Sequence, residues 1–211
     1  MKQKRGCSRL VYATYTYTPK SGETAASITF GEVKEFAVVK SITKTVEQAS
    51  EPVYGDNKLQ YEVTAANTAT RSFEVIGVSK EVEAEVMGQS VITVNSKKFT
   101  GTAQDGSAKP YIAIGYALHD GDKNRPCEVV WAFKAKVNSI SSVANTIAGN
   151  DTASESQTVE VTFYDPDIPW TATGKTDLDI TLEITEENKA DVEKWFAQVV
   201  TYDNASTIFK A

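Results

Sequence analysis

Eight short runs rich in Val, Ile, Thr, Tyr and Phe recur along the chain, and Gly, Asn, Asp and Pro separate them. They cover residues 9–17, 35–46, 58–64, 69–76, 111–118, 127–138, 157–164 and 178–184. Such runs read as strands because β-branched and aromatic side chains suit a pleated surface, while the residues between them suit turns. In "LDITLEI", Leu178, Ile180, Leu182 and Ile184 alternate with polar residues, the period of a half-buried strand. Many short strands joined by turns predict a mainly β fold, a sandwich or barrel. With 211 residues, 41% of them hydrophobic, the expected unit is one domain with one substantial core.

Two segments depart from the strand period. In 185–200, Val192, Trp195, Phe196 and Val199 fall at i, i+3, i+4 and i+7, one apolar stripe of a helix. Thr185 stands where it can cap the first N–H groups, and Glu186 and Glu187 stand where the helix dipole favours acids. Trp195 and Phe196 are expected in the core. Residues 79–88, "SKEVEAEVMG", alternate Val and Ala with Glu, yet consist of good helix formers between a Ser cap and a Gly stop. A short flanking helix is expected there. Residues 137–158 are small and polar, and predict a long loop or a flexible hairpin extension.

Charge is unevenly spread. Residues 1–20 hold Lys2, Lys4, Arg5, Arg9 and Lys20 and no acid, so they read as a basic N-terminal arm. Residues 151–211 are strongly acidic, and the whole chain carries a net charge of −6. That balance argues against clamping nucleic acid, which takes many cations on one face. No apolar run approaches the roughly 18 residues that span a membrane. The start lacks the apolar stretch and cleavage site of a signal peptide, so folding in a cytoplasm is expected. Cys7 and Cys127 are far apart and outside any C-x-x-C pair, so they read as free thiols, and the sequons at Asn150 and Asn204 as unused.

Catalytic chemistry is hard to assemble. His119 is the single histidine, too few for a multi-histidine metal site. The "DGDKN" stretch fails as a calcium loop because Trp131 stands where a bidentate Glu should fall. A turn between strands accounts for Asp120, Gly121 and Asn124, with His119 as a turn residue. There is no nucleophile elbow and no phosphate-binding Gly-rich loop. "YDPDIPWTATG", residues 164–174, reads as a turn; as an aromatic platform on a carbohydrate-binding module it offers Trp170. No cofactor is expected, and the chain is read as a non-enzyme.

The stretch "IGYALHDGDKNRPCEVVWAFKAKVNSIS" resembles the characteristic segment of major tail proteins of long-tailed phages of Gram-positive bacteria. In that family an apolar strand ends in Gly-Tyr, a polar turn follows, and the next strand ends in an aromatic-Lys-Gly-Lys pattern. The matching residues are Gly115, Tyr116, Trp131, Lys134 and Lys136, with Ala135 where Gly is more usual. Further pieces fall in the family's order: "YGDN" at 54–57, the helix at 79–88, the Thr-rich approach at 145–163 and "DVEKWFAQVV" with Trp195 and Phe196. The first 50 residues match least.

The resemblance implies a tail tube protein with a β-sandwich or barrel, a flanking helix and a C-terminal helix. Hexameric rings would form by joined sheet edges and stack on a tape-measure protein, capped by tail terminator and distal tail proteins. DNA would pass through the lumen without specific binding. The protein would be assembled in the host bacterial cytoplasm and reside in the virion tail. Lys2, Lys4, Arg5 and Arg9 would then serve ring stacking against the acidic C-terminal region, and an acidic lumen wall would let DNA slide. The alternative is a carbohydrate-binding β-sandwich module on a virion or cell surface.

Overall fold

The computed structural model describes residues 4–47, 50–55, 58–64, 68–101, 109–121, 126–141 and 156–210. The elements in chain order are β1 (Lys4–Thr18), β2 (Ser27–Phe30), β3 (Lys34–Glu47), β4 (Ser50–Gly55), β5 (Lys58–Thr64) and β6 (Thr68–Ile76). Then come α1 (Lys80–Met87), β7 (Ser90–Val94), β8 (Lys97–Gly101), β9 (Ile112–Asp120) and β10 (Pro126–Ser141). The chain ends with β11 (Gln157–Phe163), β12 (Asp179–Glu183), α2 (Asp191–Ala197) and α3 (Ala205–Ile208).

Among the described residues, β1, β9, β10, β11, β6 and β3 pair in that order, all antiparallel, and close into a barrel. Closure depends on the 16-residue β10. One of its edges carries β9. The other is shared, with β12 on Glu128–Ala132 and β11 on Ala135–Ser141. The mainly β barrel with flanking helices is the architecture the strand pattern predicts.

Alternation sets the barrel interior. Ala69, Phe73 and Val75 of β6 and Val159, Val161 and Phe163 of β11 are buried in one phase, facing Tyr12, Ile112, Ile114 and Tyr116. The strands β9 and β10 are buried on both faces and read as nearly continuous apolar runs. Their other face forms a second core, where Ala113, Ala117, Val129, Trp131 and Phe133 meet Trp170, Val192, Trp195, Phe196 and Val200. The helix α1 forms as expected: the Ser79 hydroxyl accepts from the N–H of Val82 at 3.2 Å, and Gly88 ends the helix with φ 65°.

Several expectations are revised. The basic arm is a barrel strand from Lys4 onward, because apolar Leu10, Val11 and Ala13 carry β1 through the core. Lys2 lies outside the described residues. The C-terminal helix is shorter than 185–200: residues 186–190 are turns and Thr185 caps nothing helical. The cause is Asn188, whose side chain accepts from the N–H of Thr185 at 2.7 Å and donates to the carbonyl of Glu183 at 2.9 Å, a local alternative to helical bonding. The apolar stripe is still buried, with Val199 just past the helix end.

Of the loop or hairpin extension expected at 137–158, the two ends are paired strands, with Ser141 opposite Thr158. The strand β10 runs to Ser141 and β11 starts at Gln157, because Val137, Ile140 and Val159 supply inward residues. Residues 142–155 lie outside the described residues. His119 is a strand residue of β9, not a turn residue, and Cys7 and Cys127 are not joined in a disulfide. The hairpin of β7 and β8 lies outside the strand runs read from the sequence; Asn95 and Ser96, with φ 50° and 61°, form its two-residue turn without a Gly.

Candidate assembly surfaces

The residues singled out by the family resemblance divide between the two cores. Gly115 and Trp131 are cross-strand partners on β9 and β10. The Trp131 indole N–H donates to the carbonyl of Trp195 at 2.9 Å and fastens α2 to the barrel. Phe196 packs on the Trp131 ring from the same helix. Tyr116 points the other way, into the barrel, where Phe73 meets its ring edge at 5.9 Å. Burial, only partly offset by the nearby Arg71 charge, pushes its hydroxyl up to about 12.

Arg71 is a buried cation that sequence reasoning missed. Its guanidinium lies 4.5 Å from the Phe163 ring centre and 5.3 Å from that of Tyr116, and pairs with Asp179 at the start of β12. The Lys44 ammonium stands 3.6 Å from the same carboxylate. The signal was an arginine in the apolar phase of "ATRSFEVI".

Lys134 and Lys136 diverge in role. Lys134 is only 9% exposed; its ammonium donates to Asp167 at 2.7 Å and sits 4.7 Å from the Tyr111 ring centre. The Tyr15 hydroxyl donates to the other oxygen of Asp167 at 2.7 Å. Burial alone would raise the Asp167 carboxyl, but the bonds from Lys134 and Tyr15 outweigh it and hold the group below its usual range. The Lys136 ammonium lies over the same Tyr111 ring, 4.6 Å from its centre. Asp167 and Trp170 come from the bend at 164–174. Trp170 is buried against Phe133 at 4.5 Å, so it presents no ring to solvent.

Of the basic cluster, Arg9 is engaged within its own chain. Its guanidinium pairs with Glu193 of α2 and lies 5.6 Å from the Phe196 ring centre. Lys4 and Arg5 belong to β1, whose Lys4–Ser8 end pairs with β9. His119 is buried, with Nε2 2.6 Å from the Ser8 hydroxyl, which ties the same two strands together. Among the described residues no cluster of three or more potential ligands could hold a metal ion, and no helix is long and apolar enough to cross a membrane.

The geometry that bears on assembly is a set of unpaired strand edges. The strands β3, β6, β11 and the Ala135–Ser141 end of β10 form one four-stranded sheet of the barrel. On one side, β1 pairs with β3 only between Lys34 and Ala37, which leaves the β1-facing edge of β3 unpaired from Val38 onward among the described residues. On the other side, β9 leaves β10 at Ala135, and among the described residues no second strand pairs beyond it, while the Lys109 ammonium donates to the carbonyls of Val137 and Asn138 at 3.2 Å and 2.6 Å. Where β1 and β3 part, a cleft of about 1000 Å³ opens, lined by Arg9, Phe36, Val38, Ile76, Val82 and Phe196. Val38 and Ile76 are cross-strand partners at its rim, and Val38 is 67% exposed.

No family model matches this chain, and no curated protein matches it. Among solved structures, it is similar to a chain in the cryo-EM structure of the anti-feeding prophage (AFP) baseplate, 6-fold symmetrised. The TM-score is 0.36 and the identity 9%, over 87% of this chain and 98% of that chain.

Proposed function

We propose that this protein is a structural subunit that joins copies of itself edge to edge into rings, and that the rings stack into a phage tail tube. The observation that carries the reading is the four-stranded sheet of β3, β6, β11 and β10, in which, among the described residues, no strand pairs with the β3 edge beyond Ala37 or with the β10 edge beyond Ala135. Exposed backbone N–H and C=O groups in a row are a liability in a monomer. In a ring the β3 edge of one copy receives the β10 edge of the next, a head-to-tail contact that closes when the rotation closes. The ring size of six, the tape-measure protein inside and the terminator and distal tail proteins at the ends come from the family resemblance carried by Gly115, Tyr116, Trp131, Lys134 and Lys136. The reading includes no catalytic step and no cofactor.

A carbohydrate-binding role finds no support in the bend at 164–174, since Trp170 faces the core and Asp167 is bound to Lys134 and Tyr15. Analytical ultracentrifugation with negative-stain imaging tests the ring reading. Six-membered rings or tubes are expected at high concentration or with a tape-measure fragment. A strictly monomeric species under both conditions overturns it.

A further inference from the structure

We infer that Lys109 masks the β10 edge in the free subunit, and that a neighbour's β3 pairs there only when the ammonium leaves. This inference rests on the ring reading and concerns what holds the contact back until assembly. The sequence sets the mask in place. The last pair of the β9–β10 ladder is Ile112 with Ala135, and continuing that register brings Pro110 opposite Val137 and Lys109 opposite Asn138. Proline carries no N–H, so the backbone offers the Val137 carbonyl no donor where the ladder would need one. The Lys109 side chain supplies it: its ammonium donates to the carbonyl of Val137 at 3.2 Å and to that of Asn138 at 2.6 Å.

One ammonium reaches both carbonyls at a bulge. Towards β11, Val137 pairs with Val161 and Ser139 with Glu160, which leaves Asn138 as the extra residue of that ladder. The Asn138 side chain turns to β11, where its amide donates to the Thr162 hydroxyl at 2.7 Å. Its carbonyl is left to Lys109.

The two edges of the sheet are therefore unequal. On β3, Lys40 and Lys44 turn to the carboxylates of Glu74 and Asp179, and among the described residues no side chain bonds the β3 backbone beyond Ala37. A head-to-tail contact uses one edge of each kind, so covering the β10 edge on every copy keeps all copies apart. Lysine is a common guard of sheet edges, and unlike a paired strand it can be displaced: the side chain returns to water and N–H groups of the incoming β3 take over its carbonyls. Net charge predicts the opposite effect of removing it. The chain carries −6, so the loss of any lysine adds to repulsion between copies.

The test compares Lys109→Met, which keeps the apolar stem, with Lys175→Met, an equal loss of charge at an exposed position beside Trp170. Thermal melting checks that each variant folds, and sedimentation follows assembly. Lys109→Met is expected to form rings at a concentration on the order of tenfold lower than wild type, the scale of a hydrogen bond to a charged group. Lys175→Met assembles no more readily than wild type. A folded Lys109→Met subunit that needs the wild-type concentration or more, or an equal shift in Lys175→Met, overturns this inference and leaves the ring reading standing. A second readout uses the wild-type chain and decides the matter if Lys109→Met does not fold. Folded subunits are sparsely acetylated with N-hydroxysuccinimidyl acetate and then assembled. Acetyl-Lys109 is expected to be enriched in the rings over the remaining subunits, and acetyl-Lys175 to be evenly spread. Even spread or depletion of acetyl-Lys109 overturns the inference. If no chain forms rings even with a tape-measure fragment, the ring reading falls, and the inference with it.

Discussion

Gly115 and Trp131 face each other across the β9–β10 ladder so closely that a methyl group on Gly115 would lie 2.9 Å from two carbons of the indole and 2.9 Å from a methyl of Val11. The Gly of the Gly-Tyr pair is therefore a packing requirement: it makes room for the indole that binds α2. Gly115→Ala is expected to destabilise the fold by roughly 1–3 kcal/mol through overpacking. Chemical denaturation measures it. The double variant with Trp131→Phe should recover part of the loss, since the smaller ring frees the space. Additive losses in the two variants would show that the contact is not the cause.

Trp195 completes the same unit. Its ring is buried, stacked 6.1 Å from Phe209, while its carbonyl receives the Trp131 N–H. Trp195→Ala should cost roughly 3–5 kcal/mol, most of it lost packing. Trp195→Phe should cost far less, because among the described residues the Trp195 indole nitrogen has no hydrogen-bond partner that its removal would strand. An unchanged denaturation midpoint for Trp195→Ala would mean that the helix contributes nothing to the isolated subunit.

What the sequence disclosed follows from how local each signal is. Strand positions and the Val192–Val199 stripe were legible because alternation and helical spacing are written in neighbouring residues. Barrel closure was not, since it depends on β10 giving one edge to both β12 and β11, a long-range arrangement. The resemblance pointed to Lys134, but its anchors, Asp167 and Tyr15, come from the bend and from β1. Arg9 read as a free arm residue because Glu193, its partner, lies 184 positions away. The β7–β8 hairpin escaped because Asn95–Ser96 is a weaker turn signal than Asn-Gly.

The Asp167 cluster gives the fold a defined acid limb. The folded carboxyl is held low by Lys134 and Tyr15, so its stabilisation is fully present above the unfolded value, about 3.9. It is lost as pH falls through the lower, folded value. Asp167→Asn should cost about 2 kcal/mol at neutral pH, the worth of hydrogen bonds to a charged group. Thermal melts across acidic pH should show the gap to wild type closing below pH 4, about where the unfolded carboxyl protonates. A gap that stays constant down to the lowest pH would assign the loss to packing instead of charge.

Assembly can be separated from folding at Val38. This valine and its partner Ile76 sit at the rim of the cleft where β1 parts from β3, beside the unpaired edge proposed to receive a neighbour's β10. In the free subunit Val38 is mostly in water, so Val38→Asp should change its stability by no more than about 0.5 kcal/mol. In the ring the neighbouring strand would cover that position, and a carboxylate there would be buried without a partner, which costs several kcal/mol on the usual scale of uncompensated charge. Sedimentation should therefore show a folded Val38→Asp subunit that no longer forms rings at concentrations where the wild type does. A Val38→Lys variant serves as the check on charge sign and should fail in the same way. Normal rings from both variants would place the subunit contact elsewhere and remove the β3 edge from the assembly scheme.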